Sequence, residues 1–67
     1  MENLTERELE VLKLLVTGKS NREIGDEIFV TSHTIKAHLD SIYNKLKVHN
    51  RVQAVVEYIK KYNPDIE

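Results

Sequence analysis

Basic side chains gather in the middle of this 67-residue chain. Between residues 31 and 51, Lys36, Lys45, Lys47 and Arg51 stand against a single acid, Asp40, with His33, His38 and His49 among them. The first ten residues have the opposite balance, Glu2, Glu6, Glu8 and Glu10 against Arg7. A net charge of −1 therefore hides a local asymmetry. A basic block in a near-neutral chain reads either as a nucleic-acid footprint or as a solvated charged face. Ser20, Asn21 and Arg22 upstream, and Thr31, Ser32 and Thr34 inside the block, add hydroxyl, amide and guanidinium groups of the kind that hold phosphate oxygens.

Other chemistries find little support. His33 and His38 are five positions apart, not the three or four that align two ligands on one helix face. There is no cysteine, and no metal site is expected. Glu6, Glu8 and Glu10 are explained by the positive end of a first helix. No nucleophile, glycine-rich phosphate loop or acid/base pair stands out, so no cofactor is expected. A helical chain this short has little room for a catalytic pocket, which favours a binding module over an enzyme.

Composition bounds the class. Hydrophobic residues are 40% and charged residues 31%, a globular balance. A chain near 60 residues buries only about 60% of its unfolded surface, so the core is small. One domain over residues 1–67 is expected. The absence of cysteine fits a reducing interior. No apolar run approaches the ~20 residues of a membrane span, and the polar, acidic MENLTERELE start is unlike a signal or transit peptide. The expected location is the cytoplasm, with no membrane partner. Two Gly and one Pro are too few turn residues for an all-β fold.

Four helix starts are legible from capping chemistry. Thr5-Glu6-Arg7-Glu8 is a capping box, flanked by Leu4 and Leu9 as a hydrophobic staple. Its helix should cover about 6–16 and stop at Thr17-Gly18, where glycine adopts positive φ cheaply. Ser20-Asn21-Arg22-Glu23 is a second box, opening a helix over about 21–29. Thr31 is a third N-cap, with Val30 and Ile35 as its staple. Ile35, Leu39, Ile42 and Leu46 then recur at helical spacing over about 32–46. Asn50, with Gln53 three residues on, opens a fourth helix over about 51–62. Pro64 should close the ordered chain, with Asp65, Ile66 and Glu67 fraying. The expected fold is all-α, a four-helix bundle. Only Phe29-Val30-Thr31 separates the second helix from the third. A turn that short between amphipathic helices is the helix-turn-helix arrangement, in which the second helix can enter a major groove; a plain bundle with an αα turn fits the same topology.

The residues carry a family resemblance over about 4–59. Leu4-Thr5-Glu6-Arg7-Glu8-Leu9-Glu10-Val11-Leu12 resembles LTxREREVL, and Gly18 to Ile24 resembles GxSNKEI. Val30 to Leu39 resembles ISxxTVKxHL, and Ile42 to Val48 with Arg51 and Ala54-Val55 resembles IxxKLGVxxRxxAV. This is the LuxR-type (NarL/FixJ) effector pattern. The resemblance implies a central helix-turn-helix, dimeric binding to double-stranded DNA and regulation of bacterial transcription, with RNA polymerase a further partner. In many relatives such a region is the C-terminal part of a response regulator. The rival reading is a helix-turn-helix-shaped interaction module or antagonist that does not bind DNA. The chain departs from the pattern at Gly25, usually a small alanine, at Lys47, usually glycine, and at Asp40, a carboxylate near the DNA side.

Candidate roles follow from that alignment. Lys36 lies off the apolar stripe of the third helix and can reach guanine O6/N7 or a phosphate. Ala37 can touch a thymine methyl. Asp40 can accept from cytosine N4, or can hold Lys36 as an i,i+4 partner. Ser20, Asn21, Arg22, Thr31, Ser32, His33, Thr34, Lys45, Lys47 and Arg51 form the phosphate set. Within it, Ser20 and Thr34 also read as capping residues only, and Arg51 as a structural contact. On the fourth helix, Ala54, Val55, Tyr58 and Tyr62 form one apolar arc, and Val52, Val56 and Ile59 widen it to roughly 200°, more than the ~100° one core needs. Val52, Val56, Ile59 and Lys60 are therefore the candidate dimer face, unless Val52 and Ile59 belong to a broad core.

Overall fold

The computed structural model describes residues 3–62 and, among these, all side chains but that of Tyr62. The expectations for Pro64 and residues 65–67 lie outside the described residues. Four helices follow in order: α1 Glu6–Val16, α2 Asn21–Ile28, α3 Ser32–Leu46 and α4 Arg51–Tyr62. No described helix is long and apolar enough to cross a membrane.

Each start is held by the side chain that the sequence offers for it. The Glu8 backbone N–H donates to the Thr5 hydroxyl at 3.0 Å, and the Thr5 N–H donates to the Glu8 carboxylate at 2.9 Å. Ser20 and Glu23 close the second box at 3.1 and 2.8 Å. The Thr31 hydroxyl accepts from the Thr34 N–H at 3.1 Å. At α4, the Gln53 N–H donates to Asn50 Oδ1 at 2.9 Å and Gln53 Oε1 accepts from the His49 N–H at 2.7 Å. These bonds satisfy amide donors that the first turn of a helix leaves without partners.

The ends are less regular. Gly18 takes φ +94°, as a glycine stop requires. α2 stops at Ile28, one residue short of the expected bound, because Phe29 turns left-handed at φ 64°, ψ 41°. That reversal sends the Val30 N–H back to the Gly25 carbonyl at 2.9 Å and aims the chain into α3. Gly25 then has a packing reason beyond its helix propensity. A Cβ on it would lie 2.5 Å from the Val30 carbonyl oxygen, so in this turn the backbone of α2 touches the backbone that follows it. α3 ends on a second left-handed residue, Lys47, at φ 59°, ψ 43°.

The core is small and comes from all four helices. Val11, Leu12 and Leu15 of α1, Ile24 and Ile28 of α2, Ile35, Leu39 and Ile42 of α3, and Ala54 of α4 are buried. Leu46 completes the α3 stripe half-buried, and Leu4, Val30, Tyr43 and Tyr58 pack on its margin. α3 lies mainly against α2 and α1, while α4 packs chiefly on α1. One long face of α3 is thereby left outside.

The left-handed Lys47 gives the first prediction. A side chain there costs about 1–2 kcal/mol, which glycine avoids, partly offset by glycine's greater freedom when unfolded. Lys47→Gly should stabilise the fold by about 1 kcal/mol, read as a higher urea midpoint at unchanged m-value.

Candidate nucleic-acid interface

The exposed side of α3 brings together the three residues expected at base edges and two of the phosphate set. Ser32, His33, Lys36, Ala37 and Asp40 are all exposed on it. Lys36 and Asp40 form no ion pair with each other; the i,i+4 partnership open to them is not made. Among the described residues the Lys36 ammonium has no ion-pair partner. Asn44, one turn beyond Asp40, is exposed and its carboxamide makes no bond among the described residues. It is a residue to which the sequence reading gave no role. Its position two residues before Leu46 of the apolar stripe was the available signal.

α2 presents its first turn nearby in sequence. Arg22 is exposed and Asn21 half-buried, while the Ser20 hydroxyl is engaged as the cap of α2. The hydrogen bonds of the Ser20 N–H and hydroxyl hold the exposed Glu23 carboxyl below its usual range. Thr31 and Thr34 are linked hydroxyl to hydroxyl at 3.1 Å, so both serve the α3 cap. Lys47 is exposed just past the end of α3.

Two cations expected at phosphates are turned to other work. Lys45 places its ammonium 2.7 Å from Glu8 Oε1. Arg51 donates through Nη2 to the carbonyl oxygens of Lys19 at 2.5 Å and Leu15 at 3.3 Å, the negative end of α1. It ties the start of α4 to the α1–α2 connection, the structural contact that its sequence position also allowed.

Glu8 is the residue that local sequence reasoning undervalued. Its side chain is buried. Ser41 Oγ donates to its Oε2 at 2.6 Å, while Lys45 Nζ and the Thr5 N–H share Oε1. Ser41 and Lys45 are four apart and share one side of α3, so a single carboxylate grips that helix at two points a turn apart. Burial pushes this carboxyl up. The bonds from Lys45, Ser41 and Thr5, with the Lys45 charge, outweigh burial and hold it at about 2. Beside the exposed face, burial raises the Tyr43 phenol above its ordinary value, with Arg51 opposing and Asp40 adding to the shift, so Tyr43 stays neutral. Among the described residues, no group of three or more His, Cys, Asp or Glu side chains could hold a metal ion.

Comparison with known proteins gives one family. The pattern described as "Bacterial regulatory proteins, luxR family" matches residues 2–58. "Transcriptional regulatory protein LiaR" of Bacillus subtilis is 53% identical over 55 residues, which is 82% of this chain and 26% of LiaR. "Transcriptional regulatory protein DegU" of Brevibacillus brevis is 49% identical over 57 residues, 85% of this chain and 24% of DegU. "Response regulator protein VraR" of Staphylococcus aureus is 47% identical over 55 residues, 82% of this chain and 26% of VraR. The chain therefore spans about a quarter of the length of these relatives.

The Glu8 network sets an acid limit on the fold. A carboxyl depressed in the folded state contributes stability that is full above its unfolded pKa of 4.5 and is lost as pH falls towards about 2. The contribution is of order 3 kcal/mol. Thermal melts from pH 7 to pH 2 should show the midpoint dropping across that window. Glu8→Gln should lower the midpoint at pH 7 and flatten the drop.

Proposed function

Because the chain belongs to the luxR family of bacterial regulatory proteins, a family of regulators rather than enzymes, we propose that it binds double-stranded DNA sequence-specifically to regulate transcription, with α3 lying in the major groove. The observation that carries this reading is the uncommitted face of α3. Its cation Lys36 has no ion-pair partner among the described residues, Ala37 stands beside it, and α1 and α2 hold the helix from behind. In this reading Lys36, Ala37 and Asp40 meet base edges. Ser32 and His33, with the backbone N–H groups of the α3 N-terminus, take one run of phosphates, and Asn21, Arg22 and Lys47 flank it. Ser20, Thr31 and Thr34 contribute as caps that fix those N–H groups. Lys45 and Arg51 contribute mainly by holding the helices in place.

The dimer belongs to the same reading. Val52 is 70% exposed and Val56 43% exposed, one turn apart on α4. Val52 therefore lies outside the core, and a two-fold mate packing α4 on α4, with Ile59 and Lys60 at the margin, would cover the pair. Two recognition helices would then stand about 34 Å apart and read an imperfect inverted repeat. The reading places the chain in the bacterial cytoplasm, on the nucleoid, as the DNA-binding part of a response regulator that works with RNA polymerase.

Three experiments test it. In gel-shift titrations at two salt concentrations, binding to a selected operator should weaken steeply with salt, since phosphate contacts release counterions. Lys36→Ala should keep the helical circular-dichroism spectrum and lose about 1–3 kcal/mol of discrimination; full retention of binding would remove α3 from the reading. Val56→Glu should leave half-site binding unchanged and abolish cooperative binding to the full site. A folded Val56→Glu variant that still binds cooperatively would place the interface elsewhere.

A further inference from the structure

Resting on the reading that α3 enters the groove, we infer that Asn44 is a fourth specificity-determining residue, one that recognises adenine. The side chains of α3 sort into rows. Ile35, Leu39, Ile42 and Leu46 face the core. Ser41 and Lys45 direct their polar atoms to the buried Glu8, and the Thr34 hydroxyl is paired with Thr31 at the cap. His33, Ala37, Asp40 and Asn44 repeat the spacing of the core row two positions earlier, which places them about 160° away from it. All four are exposed, and none of their side chains hydrogen bonds to another of the described residues.

Beyond His33, which lies at the phosphates, the chemistry of that row points to base edges rather than backbone. It contains Asp40, whose carboxylate is disfavoured against phosphates and suits a base amino group. Asn44 shares the row one turn further on. It lies seven positions beyond Ala37, about 10 Å along the helix axis, or about three base-pair steps. A carboxamide there offers a donor and an acceptor side by side, the pair that matches N6 and N7 of adenine. With no intramolecular partner to break, the side chain can turn to that edge without cost to the fold.

Selection from a random DNA library with the whole chain, the Asn44→Ala variant and the Lys36→Ala variant tests the assignment. The unmodified chain should enrich a site with adenine at one base pair per half-site, beyond those affected by Lys36→Ala. Asn44→Ala should stay folded by circular dichroism and lose about tenfold preference at that base pair alone. A loss uniform across sequences would mark a backbone contact and overturn the inference, as would unchanged preferences, while Lys36→Ala still altered the site. If the unmodified chain enriches no sequence, the reading of α3 falls and the inference falls with it.

Discussion

A carboxylate withdrawn from water must be surrounded by donors, and Glu8 has three. An amide of its own cap, a hydroxyl and an ammonium of α3 converge on its two oxygens. The N-terminal cap of α1 and the orientation of α3 are therefore one electrostatic unit. The apolar contacts of Val11, Leu12 and Leu15 bring α1 and α3 together, but a surface of aliphatic side chains tolerates sliding and rotation. Directional bonds at Ser41 and Lys45 do not. They settle which arc of α3 looks inward, and hence which arc faces outward.

The turn between α2 and α3 supplies the second constraint. It has no glycine of its own at the left-handed position; Phe29 occupies it, at 92% exposure. The glycine sits instead four residues earlier, where the carbonyl of Val30 comes down on the helix. Gly25 and Phe29 thus divide between them what a short turn requires: space for close approach, and a backbone reversal. The bond from the Val30 N–H to the Gly25 carbonyl locks the two together.

What could be read from the sequence was what neighbours decide. Thr5, Ser20, Thr31 and Asn50 cap their helices with bonds to residues three positions away, and the pattern states both partners. The Ile35–Leu39–Ile42 stripe is legible for the same reason, since helical spacing alone aligns it. Glu8 misled because its local role, closing a capping box, explained it completely, while its other partners lie 33 and 37 residues away. Sequence offers Lys45 and Arg51 as phosphate contacts, with a structural contact also open to Arg51, and only the packing of distant helices shows the carboxylate and carbonyls they meet. Phe29 gave no sign at all, because a bulky aromatic is a poor prior for a left-handed residue. The outward place of Asn44 is legible from its register against Leu46, two positions before the apolar stripe.

The rows of α3 separate what keeps the chain folded from what is left free to recognise. Exposed positions without internal bonds change stability by about 0.5 kcal/mol or less when substituted. His33, Ala37, Asp40 and Asn44 are such positions, and they stand in line. They can be altered singly or together while the capping boxes, the Glu8 grip and the aliphatic stripe carry on unchanged. The helix is therefore a carrier with an exchangeable face. Duplicated copies of this chain can vary along that row while the parts that hold the fold stay as they are.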